Sequence, residues 1–225
     1  MPVTQRPPSR TLIREFAASS RKTRRIYDLV SGIYPLSTML YHSKAHRVAL
    51  SLASIRDGMR VLEVATGSGE MLRRIAGVNP NGLTCGVDLS PNMAARTQRM
   101  ARRRSPEAHC QAVDARSMPF HDNAFDAVVC CYLFELLSAE GIVSTLGEIH
   151  RVLRPRGRFS LVLIGDSTPG FNAFYRLGGA LAPAFWGRQV AMAIPELIAR
   201  TDFDIEHDRK VRQGFYPSRV IVARK

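Results

Sequence analysis

The residues best equipped for chemistry lie between Arg60 and Asp88. Gly67 and Gly69 stand one residue apart, directly after a short apolar run of Val61, Leu62, Val64 and Ala65 that contains one acid, Glu63. A second acid, Glu70, follows the glycines, and a third, Asp88, ends the next short run, Leu83 to Val87. Glycines carry no Cβ, so a ligand can approach their backbone closely. Acids on both sides of such a turn repel a pyrophosphate and suit a cation. Two other readings fail on spacing: a dinucleotide fingerprint needs a third glycine where Leu72 stands, and a phosphate-cradling loop needs a lysine where Glu70 stands.

The elements that position these residues follow from hydrophobic spacing. Val61 to Ala65 reads as a buried strand stopped by Thr66-Gly67-Ser68-Gly69, and Met71, Leu72, Ile75 and Ala76 recur at helical spacing after it. In an open α/β sheet a ligand lies outside the carboxyl ends of the strands, where this turn falls. Asp88 lies about twenty residues on, at the tip of a neighbouring strand, where a carboxylate can accept both hydroxyls of a ribose. Ser90 followed by Pro91 supplies the cap of the next helix, leaving Asp88 for a ligand. Further strands are expected over Ala108–Val113, Phe125–Cys131 and Arg156–Ile164. A helix is expected over Ser138–Leu153, with Ile142, Leu146, Ile149 and Leu153 on one face and Pro155 and Gly157 ending it. A last helix, Ile194–Arg200, precedes two strands, Phe203–Val211 and Phe215–Ala223, meeting at Gln213-Gly214.

Four segments carry a resemblance. E-V-A-T-G-S-G, G-V-D-L-S-P-N-M, Q-A-V-D-A-R-S-M-P-F and H-R-V-L-R-P-R-G-R-F occur in the order and at the spacing of class I S-adenosylmethionine-dependent methyltransferases. R-I-Y-D-L-V-S-G-I-Y resembles the helix that precedes the domain in ubiquinone/menaquinone biosynthesis methyltransferases and in bacterial phospholipid N-methyltransferases. The resemblance covers about residues 24 to 223. It implies a Rossmann-like, seven-stranded, mostly parallel sheet with a C-terminal antiparallel hairpin, helices on both faces and an N-terminal helical cap. It implies S-adenosyl-L-methionine as cofactor, held by Glu63, Ala65, Thr66, Gly67, Gly69, Asp88, Leu89, Met93, Asp114, Ala115 and Cys131. Asp114 would accept from the adenine amino group, with the following backbone N–H on a ring nitrogen. No metal is implied. Tyr27 and Tyr34 would face the cofactor. Glu135-Leu136 replaces the Arg-Asn pair of the quinone enzymes, a departure that bears on the acceptor. A phenol or enol acceptor needs a general base, for which Tyr27, Tyr34, His42, His46 and His121 are the candidates.

Composition bounds the rest. At 225 residues one domain is the default, expected over 23–225, with a basic flexible tail at 1–22, a helical cap at 24–56 and an aromatic insertion or lid at 166–190. The net charge of +13 predicts attraction to something anionic. Cys85, Cys110, Cys130 and Cys131 form no C-x-x-C pair, so neither a zinc site nor a redox motif is indicated. No apolar run reaches the roughly 18–20 residues of a membrane span, and no secretory signal is visible. The expected location is cytoplasmic, with peripheral contact to an anionic inner membrane face. The apolar Cys131-Tyr132-Leu133-Phe134 end of strand four and the aromatic insertion point to a lipophilic small-molecule acceptor, such as a quinone precursor methylated on carbon or oxygen. The alternatives are N-methylation of a phospholipid head group and, behind it, nucleic-acid methylation or a non-catalytic cofactor-binding role. Nothing in the sequence matches an RNA-reading or base-methylating signature.

Overall fold

The computed structural model describes residues 34–165, 190–191, 193–212 and 217–225, with side chains from residue 44 onward. The tail at 1–22, Tyr27 and almost the whole insertion at 166–190 lie outside the described residues.

Short β-branched and aliphatic runs form the centre of the sheet. The strands of the sheet are β1 (Arg60–Val64), β2 (Leu83–Asp88), β3 (His109–Ala112), β4 (Phe125–Cys131), β5 (Leu153–Ile164), β6 (Asp204–Val211) and β7 (Ser218–Arg224), with the polar β3 and β6 at its two edges. Their spatial order is β3-β2-β1-β4-β5-β7-β6. β3, β2, β1, β4 and β5 pair in parallel, while β7 is antiparallel to both β5 and β6. The chain winds outward from β1 to β3, then returns to β4 on the other side. The β1/β4 boundary is therefore the switch point at which the loops diverge and leave a crevice.

The helices are α1 (Tyr34–Ala53), α2 (Glu70–Val78), α3 (Pro91–Arg102), α4 (Ala139–Val152) and α5 (Ile194–Ala199). On one face of the sheet, α4 and α5 bury Ile142, Leu146, Ile149, Ile194 and Ile198 against Leu62, Val64, Val128, Phe159 and Ile221. On the other, α1 and α2 cover Val61, Ala127, Val129, Val162 and Val220. Among its described side chains, the apolar residues α1 buries are Ala45, Ala49 and Ala53, one turn apart, whereas Val48, Leu50 and Leu52 are only half-buried. Small side chains at this spacing bring the helix backbone close enough for the Ser160 hydroxyl to donate to the Ala49 carbonyl at 3.3 Å.

The end of α4 differs from expectation. Pro155 and Gly157 do not separate helix from strand; α4 stops at Val152 and β5 begins at Leu153. Leu153 pairs with Phe125 and Arg158 with Ala127, so residues 154–157 bulge out of the ladder. Pro155 has no N–H to donate and fits that unpaired stretch. The bulge is tied down by the chain end, since Arg156 N–H donates to Lys225 O at 2.8 Å and Lys225 N–H to Gly157 O at 3.0 Å.

Candidate functional site

The loop after β1 is shaped by backbone bonds to β2. Ala65 and Thr66 both donate their N–H to Val87 O, at 2.8 and 3.1 Å, and this anchors Ala65 in a left-handed conformation with φ 62. Gly67 and Gly69 continue with φ 47 and 80, and Gly69 caps α2. Asp88, at the tip of β2, reaches across to the loop. Its Oδ2 accepts Gly67 N–H at 2.7 Å and its Oδ1 accepts Ser90 N–H at 2.9 Å. A carboxylate offers about four lone-pair sites, and both oxygens of Asp88 lie at the mouth of the glycine loop. Ser90 takes the capping role expected of it, its hydroxyl accepting Met93 N–H at 3.3 Å.

Beneath this loop lies Glu63, 1% exposed. Its carboxyl accepts the Leu72 N–H, but Oε2 has no hydrogen-bond partner among the described residues. Burial, with the negative charge of Asp88 and of Glu70 behind it, pushes its pKa well above the carboxylate range. A buried acid with an open oxygen under a glycine turn suits a positive group, whose charge would favour the ionised carboxylate over the neutral acid. Glu70 is a different case. Partial burial works to raise its pKa, yet ion pairs to Arg73 and Arg74, at 2.8 and 2.9 Å, outweigh it and hold the pKa low. Its charge is answered within α2 and is not offered to a ligand.

The remaining expected cofactor residues fall along the same carboxyl edge. Leu89 and Met93 follow Asp88, the first half-buried and the second buried. Val113 N–H donates to Asp88 O at 2.8 Å, which places Asp114 and Ala115 beside the β2 tip. Asp114 is clamped by its own neighbour: Oδ1 accepts Arg116 N–H and Nε–H at 3.0 and 2.9 Å, and Oδ2 accepts from Nη2 at 2.6 Å. Partial burial works to raise its pKa, and Arg116 overrides that and lowers it. The sequence reading missed this clamp, although the D-x-R spacing was visible. Cys131 ends β4, one residue beyond Cys130, the partner of Val64. Burial drives its thiol pKa well up.

Of the candidate bases, only His46 and His121 have described side chains. Tyr27 lies outside the described residues; Tyr34 and His42 belong to α1, with side chains outside them. His46 is buried on α1, its ring 6.2 Å from that of Tyr132. Tyr132 has φ 55 and shares a 2.8 Å hydrogen bond with Ser218 at the start of β7. His121 is a correction. It is exposed in the turn leading into β4, hence on the amino edge of the sheet. A seven-residue strand separates it from the carboxyl edge by about 20 Å. Sequence reasoning did not single out Tyr132, Ser218 or the buried Glu135 as site residues. Of the three only Glu135 left a local signal, an acid inside the apolar run Y-L-F-E-L-L.

The chain is similar to known proteins. Residues 61–157 match a family described as a methyltransferase domain. The chain is 33% identical over 148 residues to demethylmenaquinone methyltransferase of Thermus thermophilus, an alignment covering 66% of this chain and 64% of that protein. It is 30% identical over 155 residues to ubiquinone/menaquinone biosynthesis C-methyltransferase UbiE of Desulfotalea psychrophila, covering 67% and 61%. Among solved structures, the [4+2]-cyclase SpnF superposes with a TM-score of 0.76 at 20% identity, over 92% of this chain and 96% of that one. At that identity the likeness concerns fold alone, and a cyclase on this fold shows that fold does not decide activity. Residues 61–157 therefore carry a methyltransferase domain of the class I, S-adenosylmethionine-dependent kind. The chain spans about three fifths of the length of the curated relatives it matches.

Proposed function

We propose that this protein transfers a methyl group from S-adenosyl-L-methionine to a lipophilic aromatic acceptor of the quinol class. The observation that carries the donor half is the open, buried carboxyl oxygen of Glu63 beneath the Gly67–Gly69 turn. When bound, S-adenosyl-L-methionine supplies a methyl group on a sulfonium sulfur, together with an ammonium, and a buried acid favours both charges. The rest of the set fits the same donor: the glycine backbone for close approach, Asp88 for ribose hydroxyls, Leu89 and Met93 for apolar contact, and Ala115 N–H and Asp114 for the adenine edge. Asp114 serves that edge through acceptor capacity left over from Arg116.

The acceptor half rests on the names of the relatives and on the chemistry of the β4 end. Half-buried Cys131, Tyr132 and Leu133 and buried Phe134 make that end apolar, which suits a prenylated ring better than a free charged head group. Orientation of two bound reactants supplies several kcal/mol of the barrier, so the first task of these residues is positioning. No helix among the described residues is long and apolar enough to cross a membrane. Peripheral contact with an anionic membrane would then rest on the charge of +13 and on residues 1–22.

The test has two arms. Calorimetry with S-adenosylhomocysteine should show one site per chain, weakened by Glu63→Gln. Incubation with labelled S-adenosylmethionine and a reduced 2-prenyl-1,4-naphthoquinone should give a singly methylated product by mass spectrometry. Donor binding without methylation of any quinol in a panel rules out the acceptor class; no donor binding rules out the whole reading.

A further inference from the structure

We propose that Glu135 takes the proton of the acceptor's ionising hydroxyl, its open Oε2 lying where the ends of β4 and β5 meet the start of β7. The proposal rests on the quinol reading above and assigns that reaction a proton acceptor. Glu135 lies in the single 3-10 turn Phe134–Leu136 that leaves β4. It is 2% exposed. Its Oε1 accepts Ile164 N–H, at the last residue of β5, at 2.6 Å. Ile164 in turn pairs with Ser218, the first residue of β7 and the partner of the Tyr132 hydroxyl. All of these stand on the carboxyl edge of the sheet, as does the Glu63–Asp88 donor crevice.

Glu135 Oε2 has no hydrogen-bond partner among the described residues. Burying a carboxyl with one oxygen unmet costs free energy. A glutamine would give Ile164 N–H the same acceptor without a buried acid, so holding the β5 end does not explain a glutamate. A group that must gain and lose a proton does explain it.

The charged surroundings agree. The titratable groups of β4 that interact with Glu135 are the Cys130 and Cys131 thiols, both pushed well above their usual range by burial and therefore neutral. β5 presents only the Ile164 N–H, and no basic side chain among the described residues lowers the carboxyl. Burial raises it to about 7, with the N–H groups of Ile164 and of Glu135 itself pulling the other way. A proton acceptor works best with a pKa near the operating pH.

The step balances. The acceptor O–H bond breaks, its electron pair stays on oxygen and delocalises into the ring, and the proton forms the O–H of a neutral Glu135 carboxyl. Water removes that proton once product has left.

Difference infrared spectroscopy on the full chain with S-adenosylhomocysteine, slightly above neutral pH, tests this. Adding a reduced 2-prenyl-1,4-naphthoquinone should produce a carboxylic-acid carbonyl band in the wild type and none in Glu135→Gln. In parallel, Glu135→Gln should keep its fold and its S-adenosylhomocysteine affinity, lose about a hundredfold or more in kcat, and lose the fall in rate on the acid side. Glu135→Asp should retain that acid limb. Quinol binding without the band, or a Glu135→Gln variant with unchanged kcat and pH profile, overturns the assignment. Quinol binding with the band but without methyl transfer removes the functional reading and leaves Glu135 as the proton acceptor. Quinol that does not bind removes both.

Discussion

At the scale of single residues, Gly69 is constrained on two counts. Its φ of 80 lies in the left-handed region, and a Cβ built there would stand 2.7 Å from Thr97 Oγ1 and 3.2 Å from Thr97 Cα. Thr97 itself is fully buried and donates to Gly67 O at 3.4 Å, so it cannot swing aside. Left-handed backbone costs an L-residue about 1–2 kcal/mol, and overpacking typically adds about 1–3. Gly69→Ala is therefore expected to lower unfolding free energy by about 2–4 kcal/mol in urea titration. Adding Thr97→Ala removes the hydroxyl clash. It leaves both the crowding against the α3 backbone and the left-handed strain, so the double variant should recover only part of the loss. A single variant as stable as the wild type would mean that the loop does not adopt this conformation.

At the scale of elements, the junction of α4 with β4 and β5 shows what was legible and what was not. β1, β2 and β4 could be read from sequence because a strand buried on both faces is a short apolar run with local punctuation on each side. Asp88 was legible for the same reason, as the acid closing such a run. The onset of β5 was hidden because Pro155 and Gly157 mimic a helix stop, while what places Leu153 in the ladder is Phe125, far away in sequence. The Tyr132–Ser218 bond spans 86 residues and left no local trace. The buried face of α1 leaves little trace in the sequence because an alanine stripe is a weak hydrophobic signal. Arg151, in the last turn of α4, ties this junction together. It donates to Phe120 O and Asp122 at 2.7 and 2.8 Å, to Met118 O at 3.0 Å, and to Glu148 at 2.7 and 2.9 Å. Lysine cannot reproduce that fork. Arg151→Lys should cost about 1–3 kcal/mol and speed hydrogen exchange in residues 118–124 more than in α2. Uniform exchange across both would contradict a local anchoring role.

At the scale of the molecule, the acids of this basic chain act in two opposed ways as pH changes. Glu148 is held low by its hydrogen bonds to Arg151. In Asp114 and Glu206 partial burial works upward, but Arg116 and the Arg158–Arg224 pair win. These groups contribute stability that is present above their ordinary pKa and is lost as pH falls through the lowered one. Glu63 and Glu135 run the other way, since burial makes the folded chain keep protons that the unfolded chain releases. Their contribution is complete below the ordinary value of 4.5 and disappears as pH climbs, for Glu135 through about 7. Across that interval Glu135 alone accounts for a decline on the order of 3 kcal/mol, and Glu63 adds to it with the same sign. The stability maximum should therefore lie on the acid side of neutrality, between the two sets of transitions. Glu135→Gln keeps the bond to Ile164 N–H and has no proton to release, so its melting temperature should fall less than that of the wild type as pH rises from mildly acidic to mildly alkaline. Parallel curves for the two proteins would show that Glu135 stays in one protonation state throughout.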